Sequence, residues 1–79
     1  MRSSKMTFRR LKNYAHANEQ ERRDIESWIF SIDDPQTQQM FQLKFLLGLK
    51  YFQVALNIGG GMTVSCVKMR MYRYIKEDK

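Results

Sequence analysis

The stretch LKYFQVALNIGGGMTVSCVKMRMYRYIK, residues 49–76, decides the fold of this chain. Its first part, 49–57, has apolar residues at helical spacing and predicts a short helix, which the three glycines 59–61 must end because such a run breaks any helix. Thr63 is a good N-cap, and no Gly or Pro follows before Lys76, so a second helix is predicted from Val64. The predicted inward residues are Tyr51, Val54 and Ala55 in the first helix, and Val67, Met71, Tyr74 and Ile75 in the second.

The second helix carries a polar and basic outer face. Two short helices joined by a glycine turn, the second with a hydroxyl cap and a basic face, are typical of a helix-turn-helix that reads duplex DNA. Free N–H groups at the helix start suit a phosphate, Lys and Arg neutralise other phosphates, and the outermost side chains reach base edges. The residues predicted to contact DNA are Thr63, Ser65, Lys68, Met69, Arg70, Tyr72, Arg73, Lys76 and, in the first helix, Lys50.

The rest of the chain also predicts helices. Residues 19–32 form one amphipathic stripe, in which the aromatic Trp28 is assigned to the core. Asp34 can cap a new helix from Pro35, which continues with apolar residues until Gly48 supplies a left-handed stop. Upstream, residues 1–18 are predicted to be a basic arm or a frayed helix. Residues 1–6 lack any pattern and are expected to be disordered, as chain ends often are. We therefore expect an all-α fold of four to five helices, with residues 19–79 as the DNA-binding domain.

Residues 25–76 also resemble a known family. Ser31-Ile32-Asp33-Asp34, Leu43-Lys44-Phe45, Gly48-Leu49-Lys50-Tyr51, Val54-Ala55, Ile58-Gly59-Gly60-Gly61 and Thr63 through Arg73-Tyr74 are similar to phage and mobile-element regulators of the RinA/ArpU type. That resemblance implies a helix-turn-helix like region 4 of bacterial sigma factors, with Thr63 starting the recognition helix and Lys68, Arg70 and Arg73 at its basic positions. The chain departs from the pattern at Lys44-Phe45, Tyr51 and Met69, so no target sequence can be carried over.

Composition limits the other classes of function. A chain of 79 residues holds one small domain with no room for a deep catalytic cleft, so we expect no enzyme. The net charge of +6 attracts polyanions, and the acids are concentrated between two basic ends. We expect no membrane segment, no secretory signal, no metal and no cofactor, and hence a cytoplasmic protein. The single Cys66 is assigned to packing and the single His16 to the surface.

Several alternatives stay open. The basic groups Arg9-Arg10-Lys12 and Arg22-Arg23 fit a phosphate-binding arm or a merely solvated face. The Met and Phe residues within 40–45 leave a homodimer open. The main expectation is a sequence-specific transcriptional regulator that binds double-stranded DNA. The alternatives are a protein-interaction module that contacts RNA polymerase or a host defence protein, and an accessory DNA-binding subunit of phage packaging or recombination machinery.

Overall fold

A computed structural model of the chain describes residues 6–77, and the side chains as far as Lys76. Within these residues the fold is all-α, with five α-helices and no strand, as the sequence predicts. A 3-10 turn follows the first helix, and a π-helical turn extends the third. The elements are α1 (Phe8–Lys12), the 3-10 turn (Tyr14–His16), α2 (Glu19–Phe30), α3 (Pro35–Phe41), the π-helical turn (Gln42–Leu46), α4 (Tyr51–Ile58) and α5 (Val64–Glu77).

Side-chain caps set where the helices begin. Asn18 accepts a hydrogen bond from the Glu21 backbone N–H at 2.8 Å at the start of α2. Asp34 likewise accepts the Thr37 backbone N–H at 3.0 Å, with Pro35 in the first turn of α3, where no N–H is needed. These caps use donors that a helix start otherwise leaves unpaired. The predicted start of α3 at Asp34 and Pro35 is confirmed.

The end of the α3 segment differs from a regular helix. Leu47 N–H donates to the Gln42 carbonyl at 3.1 Å, five residues back, which is the bond of a π-helical turn. Gly48 then takes a φ of +74°, and Leu49 N–H returns to the Leu43 carbonyl at 3.0 Å. Gly48 is thus the predicted left-handed stop, whereas the wider turn before it has no marker in the sequence.

The core lies where α2, α3 and α5 meet, with α4 packed against α3 and α5. Phe41 is fully buried at the centre, and the half-buried Trp28 meets its ring edge-on at 5.2 Å between centroids. Trp28 therefore belongs to the core, as predicted. The buried apolar residues are Met6, Leu11, Ile25, Ile29, Ile32, Met40, Phe41, Phe45, Val54, Ala55, Val67 and Met71.

The N-terminal segment packs onto this core. Leu11 is buried, and so is Met6, although 1–6 was expected to lack structure; residues 1–5 lie outside the described residues. Arg10 pairs with Glu21 of α2, with Nε to Oε2 at 2.8 Å and Nη2 to Oε1 at 3.1 Å. This two-point contact fixes α1 against α2.

Candidate nucleic-acid interface

α4 and α5 form a pair of packed helices joined by residues 59–63. Val54 and Val67 are fully buried where the two helices meet, and Ala55 is small enough for a close approach. Gly59, Gly60 and Gly61 have φ values of +75°, +63° and +80°. Such backbone angles oppose any L side chain, so the three glycines turn the chain between the helices as the sequence predicts.

The start of α5 is held by the predicted cap. The Thr63 hydroxyl accepts the backbone N–H of Cys66 at 3.1 Å, while Val67 N–H donates to the Thr63 carbonyl at 3.0 Å. The Thr63 hydroxyl also holds the pKa of the Cys66 thiol below its usual value. Cys66 itself is exposed, so its assignment to packing is wrong. The residues of α5 that do pack are those predicted to face inward: Val67 and Met71 are buried, and Tyr74 and Ile75 are half-buried against the core.

One stripe of α5 is exposed from the first turn of the helix to the last. Ser65, Met69, Tyr72 and Lys76 recur at spacings of four, three and four residues, which places them one above another on a helix. All four are exposed, including 58% of Met69 and 57% of Tyr72. This surface is called the outer stripe below. It presents a hydroxyl, a thioether, a phenol and an ammonium group on one straight element.

The predicted basic residues lie on two different flanks of the outer stripe. Lys68 is on the α4 side, with its ammonium nitrogen 5.1 Å from the centroid of the Tyr51 ring. Arg70 is on the α3 side, where it donates a hydrogen bond to the side-chain oxygen of Gln36. Arg73 lines a cleft of about 250 Å³ together with Arg70, Asp34, Thr37 and Tyr74. Lysine and arginine therefore border both long edges of the stripe.

The α3 flank also contains a carboxylate. Asp34 accepts hydrogen bonds from the hydroxyl and the backbone N–H of Thr37, which together hold the pKa of its carboxyl below the usual range. The charge of Arg70 lowers that pKa further. Part of the positive charge of Arg70 is thus balanced within the chain, whereas no carboxylate among the described residues pairs with Lys68.

Lys50 stands at the start of α4 and is exposed, as its predicted role requires. Its backbone N–H donates to the side-chain oxygen of Gln53 at 2.9 Å. The Tyr51 ring next to it lies beside a second ammonium group, that of Lys44, at 4.5 Å from the ring centroid. Burial raises the pKa of Tyr51, so this phenol stays neutral at pH 7.

The comparisons with known proteins identify no family. No family model, curated protein or solved structure matches the chain. Within residues 6–77, no helix is long and apolar enough to cross a membrane. The same residues contain no group of three His, Cys, Asp or Glu side chains placed to hold a metal ion.

The basic residues near the N-terminus are not equivalent in their contacts. Arg10 is paired with Glu21, and Arg23 with Glu19 at 2.9 Å. Arg22 lies over the Tyr14 ring, at 5.4 Å from its centroid, and donates to the Ala15 carbonyl. Three of the five arginines and lysines that left a phosphate-binding arm open therefore have partners inside the domain. The remaining two, Arg9 and Lys12, are exposed.

The apolar residues that left a homodimer open lie inside this domain. Met40, Phe41 and Phe45 are buried in the monomer core, because the segment packs between neighbouring helices. The large apolar side chains that remain exposed near α4 are Leu47, Phe52 and Leu56, at 67%, 54% and 73%. A contact surface for a second chain, if built from apolar residues, would use these.

Sequence reasoning did not assign two residues that the structure brings to the site. Lys44 comes beside Tyr51 through the π-helical turn, and its only signal was a single charge within the apolar run 43–47. Phe8 of α1 packs edge-on against Tyr72, with centroids 4.6 Å apart. No spacing rule connects residues 64 positions apart, so only the folded chain reveals that contact.

Proposed function

We propose that this chain binds double-stranded DNA sequence-specifically through α5 and regulates transcription by occupying its site. The observation that carries the proposal is the outer stripe with its basic flanks. From Val64 to Lys76, α5 holds four basic residues and no acidic one. A helix of that kind, with one face exposed from Ser65 to Lys76 and with a second helix packed behind it, fits the major groove.

The chemistry of the outer stripe suits base edges. The Ser65 hydroxyl both donates and accepts hydrogen bonds, so it can pair with either kind of polar group on a base edge. Met69 offers an apolar surface for a thymine methyl group. Tyr72 adds a phenol whose ring is supported by Phe8. Sequence preference, on this proposal, resides in these three α5 residues.

The flanks suit the two phosphate backbones that border a groove. Lys50 and Lys68 face one side, while Arg73, with Arg70 behind it, faces the other. Thr63 adds the free N–H groups at the start of a 14-residue helix. Phosphate contacts of this kind set register and orientation without reading sequence.

The regulatory part of the proposal is supported by the resemblance to RinA/ArpU-type regulators. A protein that occupies DNA can recruit or obstruct RNA polymerase without any chemistry of its own. On this proposal the protein acts in the cytoplasm of a bacterial host on phage or mobile-element genes, and it has no enzymatic activity.

A second candidate function is supported by the exposed apolar residues. Leu47, Phe52 and Leu56 are not part of the outer stripe or its flanks. Phe52 and Leu56 lie four residues apart on one face of α4, and exposed apolar faces of this kind mark protein contacts. A protein-interaction module, with RNA polymerase as a partner, would use them. An accessory subunit of packaging or recombination machinery would combine that surface with the same DNA contacts.

The test begins with selection of a preferred duplex from a random pool, followed by fluorescence anisotropy with that duplex and with a random one. Ser65→Ala and Met69→Ala should reduce the preference for the selected duplex, while Lys68→Ala and Arg73→Ala should weaken binding to both duplexes alike. Arg23→Ala is the matched control, because it removes the same charge from α2, where Arg23 is already paired with Glu19.

The two candidate functions give opposite results in this test. Salt-sensitive duplex binding that depends on α5 supports the regulator. If the wild-type chain shows no salt-sensitive affinity for any duplex, the DNA-binding proposal fails. Phe52→Ser and Leu56→Ser should leave DNA affinity unchanged, and a loss of affinity in these two variants alone would place the interface on α4.

A further inference from the structure

Three lysines from three separate elements follow one another in space across one side of the domain and are called the lysine row below. They are Lys68 on α5, Lys44 in the π-helical turn and Lys12 at the end of α1. We infer that this lysine row binds phosphates of the DNA backbone beyond the base pairs that α5 contacts, and so extends the footprint to the N-terminal helix. The inference rests on the proposed function, since it assigns a further part of the same interface.

The first link of the lysine row is the Tyr51 ring. The ammonium nitrogen of Lys44 lies 4.5 Å from its centroid and that of Lys68 lies 5.1 Å from it. The negative face of an aromatic ring attracts a cation, which holds both side chains in place. Two ammonium groups beside one ring also repel each other.

That repulsion is not balanced inside the chain. Among the described residues, no carboxylate forms an ion pair with Lys44 or Lys68. An anion placed beside both ammonium groups would relieve the repulsion. A phosphate of a DNA backbone that follows the edge of α5 supplies that charge, and lysine binds phosphate as a point charge without demanding one orientation.

The second link is a cleft of about 200 Å³ between α1 and the π-helical turn. Lys12 and Lys44 both line it, and no acidic residue does. Leu11, Phe45 and the Tyr14 ring contribute apolar walls, which lower the local dielectric and strengthen the field of the two charges. The hydroxyl of Tyr14, a lining residue, donates a hydrogen bond to Glu26 of α2.

The lysine row differs from the other basic residues of the N-terminal half. Arg10 and Arg23 have carboxylate partners on α2, whereas Lys12 has none among the described residues. Arg22 is occupied by the Tyr14 ring and the Ala15 carbonyl. Of the two described basic residues of this half that have no such partner, Arg9 and Lys12, Lys12 is the one that lines the cleft with Lys44.

The test measures duplex affinity by anisotropy over a salt series for the full chain and for Lys12→Gln, Lys44→Gln and the double variant. Each lost phosphate contact should lower the slope of log affinity against log salt by about 0.9. The ratio of wild-type affinity to the affinity of each single variant should accordingly shrink about threefold between 50 and 200 mM salt. Selected and random duplexes should be affected equally, because phosphate contacts carry no sequence information.

Two controls make the result decisive. Arg23→Gln removes the same charge outside the lysine row and should leave the slope at its wild-type value. Lys44→Arg keeps the charge beside Tyr51 and should restore the slope that Lys44→Gln loses, which excludes a folding defect as the cause.

The outcomes separate this inference from the proposed function. If Lys12→Gln and Lys44→Gln change the slope no more than Arg23→Gln does, while α5 variants still weaken binding, the lysine row is not part of the interface and the proposed function stands. If the wild-type chain binds no duplex, both are overturned. A loss confined to the selected duplex would also contradict the inference, since backbone contacts cannot read sequence.

Discussion

Gly59, in the turn between α4 and α5, allows a test of how much a single left-handed backbone conformation contributes to stability. Gly59 has φ +75° and ψ −161°, a region that is open essentially to glycine alone. A methyl group built on Gly59 would meet no atom within 4 Å. The cost of Gly59→Ala is therefore backbone strain without any steric clash in the surroundings.

The magnitude follows from two opposing contributions. Strain at such a position costs about 1 to 3 kcal/mol, and the reduced freedom of the unfolded chain returns about 0.4 to 1 kcal/mol. We expect a net loss of about 1 to 2 kcal/mol, which lowers Tm by about 4 to 8 °C per kcal/mol in a domain of this size. The hydrogen bonds from Gly59 N–H to Ala55 and from Met62 N–H to Gly59 are retained, since alanine keeps both groups.

A D-alanine at position 59 is the matched control. For a D residue, the angles of Gly59 are the mirror image of ordinary extended backbone, so the same methyl group is added without strain. Cys66, the only cysteine, provides a ligation junction for a synthetic chain that carries it. Thermal and urea unfolding should show the D-alanine protein equal to wild type or slightly more stable. Equal losses for the two enantiomers would refute the reasoning from handedness.

Three further predictions concern the core, the α1 contact and the thiol. Met71→Ala should lower the free energy of unfolding by about 2 to 5 kcal/mol, because Met71 is fully buried. Met69→Ala, two residues away, should change it by less than about 0.5 kcal/mol, because Met69 is 58% exposed. Similar losses in the two variants would contradict the burial pattern. The side-chain hydrogen bonds from Arg10 lower the pKa of Glu21, so their contribution to stability is present above the unfolded pKa of about 4.3 and is lost as the pH falls through the lower folded pKa. The urea midpoints of wild type and Glu21→Gln should therefore differ at pH 7 and converge once the pH has fallen below the lowered pKa. Cys66, exposed and with a lowered pKa, should react with iodoacetamide in the native protein, and saturating duplex should slow the reaction if DNA covers α5.

Local sequence signals predicted the parts of the fold that depend on local chemistry. Asp34 with Pro35, the three glycines and Thr63 each act within four residues along the chain, and each ends or begins a helix where predicted. The exposure of the predicted DNA-contacting residues follows in the same way from the 3.6-residue period of α5. All nine are exposed.

The features that sequence analysis missed depend on contacts between distant residues. The Arg10–Glu21 pair and the buried Met6 tie α1 to the domain, which the short helical period of Phe8, Leu11, Tyr14 and Ala15 does not predict. The π-helical turn, closed by the hydrogen bond from Leu47 N–H to the Gln42 carbonyl, places Lys44 beside Tyr51. No residue type in this segment predicts such a turn. The assignment of Cys66 to packing is wrong because it rests on residue type alone. A small apolar residue on a helix is often buried, but Cys66 lies outside the face of α5 that packs on the core.

The division of the basic residues of α5 between two flanks also depends on contacts between distant residues, so the sequence does not reveal it. The sequence treats Lys68, Arg70 and Arg73 as one charged face. In the folded chain Arg70 reaches Gln36 at the start of α3, 34 residues away, while Lys68 reaches Tyr51 of α4. Helix periodicity gives the angle between these side chains, and only the neighbouring helices determine which of them stays free for a ligand.

The most direct test of the central claim is an NMR titration of the isotope-labelled chain with the selected duplex. The proposal predicts that the backbone amides of residues 63–76 and the Met69 methyl group shift in proportion to the bound fraction, with smaller changes at Lys44 and Lys12. The Met71 methyl group, buried on the opposite side of the same helix, should change least. Shifts concentrated at Phe52 and Leu56 with α5 unchanged, or no saturable shifts at all, would contradict the claim that α5 binds DNA.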